Sequence, residues 1–291
     1  MPLNKAIRIF DGATAIVTGG ASGIGRALAE ELAKRGCDVV LADLQIELAE
    51  EVASEIHVAG GKAKAVKMDV TEFSAMERLV QETFKRAGRL DYIFNNAGIA
   101  IGGNVNHFGI EDWNQIIDVN LGGVINGVQA AYKVMMAQGF GHIVNTASLA
   151  GLMTAPGNVA YATTKHGIVG LSTSLRAEAA QTGVRVSVLC PGFVRTAILE
   201  GGGKYGKILI DMSPEQQRRM LEMIEKFKPM CPDVFAKKAL NLIAKNKAII
   251  VLPSRWKLFW WVHRLFPSLE ISLAQKRFQD FQEKLGIAQE S

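Results

Sequence analysis

A tyrosine and a lysine stand four residues apart in the sequence YATTK, as Tyr161 and Lys165. Residues at this spacing share one face of an α-helix, so the lysine ammonium is expected beside the phenol. A nearby positive charge favours the phenolate and is expected to lower the pKa of the tyrosine toward neutral pH. Such a phenol can exchange a proton with a hydroxyl or carbonyl oxygen, so the pair predicts acid–base chemistry.

Two further polar residues are candidates for the same site. Ser148 follows the predicted strand 142–147, and parallel sheets bind ligands at the edge where their strands end. Asn120, in DVNLGG, lies within a predicted long helix over 111–137. Taken singly, the four candidates also have structural explanations, as a core tyrosine, a surface lysine, a strand-end serine and a satisfied helix asparagine.

A glycine-rich turn, TGGASGIG, follows the first predicted strand and opens a helix with Gly19, Gly23 and Gly25. Glycines permit a tight turn and let backbone N–H groups approach a pyrophosphate at the helix N-terminus. The cluster alone is weak evidence, because a plain strand-to-helix turn looks similar. Asp43 strengthens it, since a carboxylate at the end of the second strand can bind the ribose hydroxyls of an adenosine.

The surroundings of Asp43 favour NAD(H) over NADP(H). Its carboxylate would repel a 2′-phosphate, and the residues that follow it, Leu44 and Gln45, carry no positive charge. Ser22, just before Gly23, is also uncharged.

Short apolar runs alternate with helical patterns along most of the chain. Strands are predicted at 14–18, 39–42, 63–68, 90–95, 142–147, 184–190 and 248–252. Apolar strands separated by helices indicate a parallel sheet covered on both faces. Right-handed crossovers then give a doubly wound (Rossmann) arrangement. The sequence therefore predicts one α/β domain with a mostly parallel, seven-stranded sheet.

Three ranges divide the predicted organisation. Residues 1–252 form the dinucleotide-binding and catalytic domain, with residues 197–232 as a substrate lid inside it. The lid contains a helix expected over 214–227, capped at Ser213 with Pro214 at its first position. Residues 253–291 form an aromatic, amphipathic C-terminal extension.

Composition excludes several classes of function for the 291 residues. The net charge of +5 is spread without a dense basic tract, so nucleic-acid binding is not expected. Three separated cysteines without a CxxC, and five scattered histidines, fit free thiols in a cytoplasmic protein without a metal site. The N-terminus does not have the pattern of a signal peptide, and no apolar run reaches the roughly 18 to 20 residues of a spanning helix.

Taken together, the residues resemble the classical short-chain dehydrogenase/reductase family over about residues 10–252. The glycine turn, the NNAG of 95–98, Asn120, Ser148, Tyr161-x-x-x-Lys165 and the PG of 191–192 all appear in the family's order. The resemblance implies that Tyr161 is the general acid/base and that Lys165 lowers its pKa and holds the nicotinamide ribose. It also implies that Ser148 orients the substrate oxygen and that Asn120 supports a water-linked proton relay to Lys165.

The resemblance extends the cofactor site beyond the glycine turn, to one group of residues around adenine and adenosine and another around the nicotinamide and phosphates. It also implies a homodimer or homotetramer through helices 111–137 and 160–181. The full predicted NAD-binding set is Gly19, Ser22, Gly23, Ile24, Gly25, Asp43, Leu44, Asp69, Val70, Asn96, Ala97, Gly98, Tyr161, Lys165, Pro191, Gly192, Val194 and Thr196.

Apolar residues in the lid and after Ser148 predict a lipophilic secondary alcohol or ketone, such as a steroid-like or long-chain compound. The alternative is that these residues only pack the lid helix. The candidates for substrate contact are Ser148, Met153, Phe193 and Tyr205. Two alternative functions are a 3-oxoacyl-thioester reductase, which usually prefers NADPH and lacks a long tail, and a non-catalytic NAD-sensing scaffold, which would not need the intact catalytic set.

The tail contains WKLFWWVHRLF, residues 256–266, with three of the four tryptophans. On a helix, Trp256, Phe259, Trp260 and His263 share one face, and the remaining apolar residues widen it. The stretch is too short to span a bilayer. Two hypotheses remain: packing against a neighbouring subunit, and peripheral membrane contact through residues 255–266. A position at the substrate entrance is also left open.

Overall fold

The computed structural model describes residues 6–200 and 205–286. Its main sheet has seven parallel strands in the order β3-β2-β1-β4-β6-β7-β9. This is the doubly wound arrangement that the sequence predicts, and all seven predicted strands form within two residues of their expected ends. The strands are β1 (Thr14–Thr18), β2 (Asp38–Asp43), β3 (Lys62–Lys67), β4 (Tyr92–Asn95), β6 (Gly141–Thr146), β7 (Val184–Pro191) and β9 (Ile249–Leu252).

Helices cover both faces of the sheet, and each face has its own apolar core. One core joins the sheet to α1 (Gly23–Lys34), α2 (Ile46–Val58) and α8 (Pro232–Ala244). The other joins it to α3 (Phe73–Ala87), α5 (Gly123–Gln138) and α6 (Val159–Glu178). Strands such as β1 are buried along their whole length, because a parallel sheet between two helical layers has no solvent-facing side.

The helix predicted over 111–137 is present, and one turn inside it has π-helical geometry, which the sequence did not predict. The chain forms α4 (Ile110–Ile117), a π-helical turn (Asp118–Gly122) and then α5. Asn120 lies in the π turn, with its side chain bonded to the backbone of Ile99. Gly123 packs so closely on Val70 that a Cβ would lie 2.7 Å from a Val70 methyl group. The apolar spacing continues through this segment, so sequence periodicity does not reveal the π turn.

A second sheet of two short strands was not predicted. β5 (Ala100–Gly102) pairs in parallel with β8 (Gly206–Ile208). Gly206 has φ of 143°, and a Cβ there would lie 1.7 Å from the Ala100 carbonyl oxygen. β8 belongs to the predicted lid, which the described chain continues with α7 (Pro214–Glu225), capped by Ser213 as predicted. Within the lid, residues 201–204 lie outside the described residues.

The C-terminal extension forms two helices, α9 (Trp256–Leu265) and α10 (Pro267–Leu285). Trp256 and Trp260, which the sequence places on one face of a helix, pack against the core of this same chain. Glu270 is buried on α10, where it accepts hydrogen bonds from Thr154 Oγ1 at 2.5 Å and His263 Nδ1 at 2.9 Å. Among the described helices, none is long and apolar enough to cross a membrane.

Asp91 joins the N-terminal segment to β1 and β4. Its buried carboxylate accepts hydrogen bonds from the backbone N–H groups of Arg8 and Thr14, each at 3.0 Å, and from Arg89 Nε at 2.7 Å.

We expect Asp91→Ala to lower the free energy of unfolding by about 3 kcal/mol or more, because it leaves buried donors and a guanidinium without their acceptor. Urea denaturation measures the change. The matched control is Asp38→Asn, which removes an ion pair with Arg86 on the surface and should cost less than about 1 kcal/mol. Equal losses in the two variants would contradict the role given to Asp91.

Candidate active site

The polar candidates come from three separate segments and meet where the strands of the main sheet end. Ser148 follows β6, and Tyr161 and Lys165 lie on α6. Lys165 Nζ lies 5.3 Å from the centroid of the Tyr161 ring, and Ser148 is hydrogen-bonded to Tyr161. A Cβ on Gly98 would lie 3.0 Å from Asn120 Oδ1 and 3.5 Å from Lys165 Nζ. The structure therefore brings Ser148, Tyr161, Lys165 and Asn120 to one place.

Lys165 is 4% exposed. Its Nζ donates a hydrogen bond to the Thr146 carbonyl oxygen at 3.1 Å. Burial lowers the pKa of Lys165 to about 8, because the ammonium is poorly solvated there. At neutral pH the side chain therefore still carries most of its positive charge, and this charge faces the phenol ring of Tyr161.

The pKa of Tyr161 departs from the expectation drawn from the YATTK spacing. Burial raises the pKa of Tyr161, and the hydrogen bond with Ser148 lowers it by less. The four-residue spacing indicates the nearby lysine charge, but it carries no information about the cost of removing a phenolate from water. In the protein alone, Tyr161 is therefore a neutral phenol at neutral pH, and as such it can donate a proton.

The side chain of Asn120 is fully engaged with neighbouring groups. Its Oδ1 accepts from the Ile99 N–H at 2.8 Å, and its Nδ2 donates to the Ile99 carbonyl oxygen at 3.0 Å and to Thr164 Oγ1 at 3.3 Å. Thr164 in turn donates to the Tyr161 carbonyl oxygen at 2.8 Å. These bonds fix the segment after Gly98 against the helix that carries Tyr161 and Lys165.

Three threonines organise the site and were missed at the sequence level. Thr18 Oγ1 accepts from the backbone N–H groups of Asn96 and Ala97, at 2.9 and 3.1 Å. Thr146 Oγ1 donates to Asn96 Oδ1 at 3.2 Å, and Thr164 contacts Asn120 as described. The available signal was position, because Thr18 ends one predicted strand, Thr146 is the last residue but one of another, and Thr164 precedes Lys165.

The glycine turn has the geometry of a cradle for a dinucleotide. Gly19 and Gly23 have φ of 63° and 53°, which only glycine adopts without strain. A Cβ on Gly25 would lie 1.9 Å from the Gly19 carbonyl oxygen. Such a turn at the N-terminus of α1 leaves backbone N–H groups free to bind a pyrophosphate, so these residues fit the cofactor that the sequence predicts.

Asp43 is 8% exposed, at the end of β2. One carboxylate oxygen accepts from the Ala21 N–H and the other from the Gln45 N–H, both at 3.0 Å. Its acidic group is thereby held beside the glycine turn.

The remaining predicted cofactor residues border the same edge of the sheet. Asp69 closes a turn with Thr71, and Val70 is buried against α5. Thr196 lies over the glycine turn, since a Cβ on Gly23 would be 3.2 Å from its methyl group. Pro191 ends β7, Gly192 donates its N–H to Leu252, and Val194 is buried. Of the others, Ile24 packs partly on the core and Leu44 is exposed.

The predicted substrate contacts have different positions. Met153 is buried in the core on the α6 side of the sheet. Phe193 stacks on Phe227, with ring centroids 4.7 Å apart, and it also touches Trp256. The Tyr205 hydroxyl accepts from Gln45 Nε2 at 3.4 Å, beside Asp43 on the adenosine side. That contact does not support a direct role of Tyr205 in substrate binding, which stays a prediction.

Aromatic packing joins the end of the lid to the tail. Trp256 contacts both Phe193 and Phe227, and Arg255 donates to the carbonyl oxygens of Phe227 and Lys228.

In the described residues, no group of three or more His, Cys, Asp or Glu side chains is arranged to hold a metal ion.

Comparison with known proteins agrees with this geometry. The family model for short chain dehydrogenases matches residues 13–204. A cyclohexanol dehydrogenase from Acinetobacter sp. (strain SE19) is 38% identical over 193 residues, which are 65% of this chain and 76% of that protein. The oxidoreductase UcpA of Escherichia coli (strain K12) is 36% identical over 220 residues, 75% of this chain and 81% of that one.

Among solved structures, a short-chain dehydrogenase/reductase from Burkholderia phymatum in complex with NAD superposes with a TM-score of 0.80 and 28% identity. The match covers 90% of this chain and 96% of that one. The doubly wound sheet, the glycine turn and the pair of Tyr161 with the buried Lys165 define a dinucleotide-binding oxidoreductase. The chain belongs to the short-chain dehydrogenase/reductase family.

We expect Lys165→Met to raise the free energy of unfolding near neutral pH by about 1 to 3 kcal/mol, because it removes a buried charge. Folded Lys165 loses its proton near pH 8 and the unfolded lysine near 10.5. The unfolded state therefore binds more protons in that window, and the wild type gains stability as pH rises through it. The advantage of the variant should shrink over the same window.

Urea denaturation across this pH range measures the effect, with Lys85→Met on the exposed surface of α3 as the control. The same Lys165 variant should lose turnover by about a hundredfold or more. A Lys165→Met protein that is less stable than the wild type near neutral pH would contradict the unfavourable burial of this charge.

Proposed function

We propose that the protein is an NAD(H)-dependent oxidoreductase that interconverts a lipophilic secondary alcohol and its ketone. The observation that carries the proposal is the meeting of Ser148, Tyr161 and Lys165 beside the glycine turn. Family membership supports oxidoreductase chemistry in general. Beyond family membership, we propose the cofactor, the substrate class and the role of each residue.

In this proposal the chain's residues transfer the proton. The cofactor, when bound, would supply the hydride as NADH or accept it as NAD+. Ser148 Oγ and the Tyr161 hydroxyl hold one substrate oxygen between them. Tyr161 gives its proton to that oxygen when a ketone is reduced and takes the proton back when an alcohol is oxidised. The Lys165 ammonium stabilises the phenolate that remains after the proton has left.

Asn120 has a positioning role in this scheme. Both ends of its amide are bonded to Ile99, and Nδ2 also bonds Thr164. Its side chain therefore holds the segment after Gly98 beside Lys165. A water-linked relay from Asn120 to Lys165 remains a further part of the proposal.

Asp43 supports the preference for NAD(H). Its carboxylate ends β2, and both of its oxygens bond backbone N–H groups that orient it. A 2′-phosphate at this position would face a fixed negative charge. The NAD complex of the Burkholderia phymatum structure is consistent with this choice.

An apolar substrate fits the surroundings of Ser148. Leu149 is partly buried and Leu152 and Met153 are buried next to it in sequence, while Phe193, Phe227 and Trp256 form an aromatic group after β7. The similarity to a cyclohexanol dehydrogenase supports a ring or chain alcohol with few polar groups. We further propose a cytoplasmic homo-oligomer, which the three free cysteines and the oligomers common in the family support.

Tyr161→Phe is expected to lower turnover by about a hundredfold to ten-thousandfold, because it removes the proton that the reaction needs. The assay follows NADH at its near-ultraviolet absorbance with a panel of secondary alcohols. Tyr132→Phe, on α5 and outside the site, is the matched control. NADH binding should persist in Tyr161→Phe by fluorescence. Wild-type protein that binds NADH but turns over no member of the panel would instead favour an NAD-sensing scaffold.

Asp43→Asn should reduce the preference for NAD over NADP by about tenfold or more, because it removes the charge that repels a 2′-phosphate. The amide oxygen keeps one acceptor for the backbone groups that Asp43 holds. The ratio of kcat/KM for the two cofactors is the measurement. Asp38→Asn, at the other end of β2, should leave the ratio unchanged. An unchanged ratio in Asp43→Asn would reject the role of this carboxylate in cofactor choice.

A further inference from the structure

The C-terminal helices expose apolar side chains that the active site does not use. We name this surface the apolar elbow, because it runs along α9, around the bend and onto the first turns of α10. Its members are between 40% and 68% exposed: Leu258, Trp261, Leu265, Phe266, Leu269 and Leu273. Single exposed apolar residues are ordinary, but a set this regular marks an interaction surface.

Helical spacing places these residues on the outer side of both helices. Leu258, Trp261 and Leu265 follow one another at intervals of three and four residues on α9, and Leu269 and Leu273 do so on α10. The opposite side of α9 is occupied, since Trp256 and Trp260 pack on the core. The elbow is therefore held facing away from the protein.

Inward contacts also fix the bend between the helices. His263 on α9 and Thr154 in the loop before α6 both bond the buried carboxylate of Glu270 on α10. A Cβ on Gly157, in the same loop, would lie 3.1 Å from the ring of Phe278. The two helices are thus attached to the domain without using the residues of the elbow.

The charge around the elbow is positive. Lys257, Arg264 and Lys276 are exposed at its edge. Between residues 253 and 276 the sequence contains one acidic residue, Glu270, and that carboxylate is 7% exposed and already bonded to Thr154 and His263. An apolar surface with a basic edge complements a surface that is apolar below a layer of negative charge.

A second copy of the chain is a poorer match for the same surface. In a two-fold contact the elbow would face its own counterpart. The exposed basic residues of the two copies would then lie near one another without exposed acidic partners from residues 253–276, and like charges in a contact are unfavourable. Charge complementarity therefore favours an anionic surface over self-association.

The dimensions of α9 fit a helix that lies in the plane of a membrane surface. Its ten residues are far fewer than the roughly 20 needed to span a bilayer. Trp261 is half exposed, and tryptophan is favoured at the level of lipid headgroups. We propose that the apolar elbow docks this protein onto the surface of an anionic lipid bilayer.

The test uses the full chain and sedimentation with vesicles. One set of vesicles is phosphatidylcholine alone, and the other also contains phosphatidylglycerol. We expect tighter binding to the anionic vesicles and weaker binding as salt rises. Trp261→Gln with Leu265→Gln should reduce binding by about tenfold or more, since apolar groups no longer enter the interface. Lys257→Glu with Arg264→Glu should remove the preference for anionic vesicles.

The matched controls are Val58→Gln on α2, which is 88% exposed, and Lys85→Glu on α3. Neither should change binding, and thermal unfolding verifies that every variant is folded. Absence of binding, equal binding to both vesicles, or binding that survives the elbow substitutions would overturn the proposal. Light scattering adds one further outcome: loss of an oligomer in the Trp261→Gln, Leu265→Gln protein without vesicle binding by the wild type would assign the elbow to a subunit contact.

Discussion

A chain of hydrogen bonds across the ends of the strands connects the glycine turn to the catalytic lysine. Thr18, just before Gly19, accepts from Asn96 and Ala97 after β4. Asn96 accepts from Thr146 at the end of β6, and the Thr146 carbonyl oxygen accepts from Lys165. Parallel pairing in register brings these strand ends to one edge. The relative positions of the cofactor cradle and the acid–base pair are consequently set by the sheet itself.

This arrangement places groups where they are costly for stability. Lys165 is buried, its Nζ donates a hydrogen bond to the Thr146 carbonyl oxygen, and its pKa is lowered to about 8. Tyr161 has its pKa raised by the same lack of solvent. The extensive cores on both faces of the sheet offset these costs. A site in which a lysine charge and a phenol proton are both retained at neutral pH needs such a rigid, well-packed support.

Local sequence patterns predicted most of the fold and the identity of the main candidate residues. The seven strands are apolar runs of ordinary length, and Tyr161 and Lys165 share a helix face by spacing alone. What was missed depends on contacts between distant segments. The π turn at Asn120 follows from its bonds to Ile99, and β5 and β8 pair across roughly a hundred residues of chain. The predicted shift in the pKa of Tyr161 had the wrong direction, because spacing carries no information about burial.

The two helices of the C-terminal tail have an inner side that packs on the domain and an outer side that is exposed. On its inner side, Trp256 packs so closely that a Cβ on Gly192 would lie 2.7 Å from the indole ring, and Glu270 bonds Thr154 in the loop between Ser148 and Tyr161. On its outer side, the same helices present the apolar elbow. Thus α9 contacts the segment after β7 and α10 contacts the loop before α6, and these two segments border the candidate active site. The tail therefore supports the borders of that site, although the proposed proton chemistry uses Ser148 after β6 and Tyr161 and Lys165 on α6.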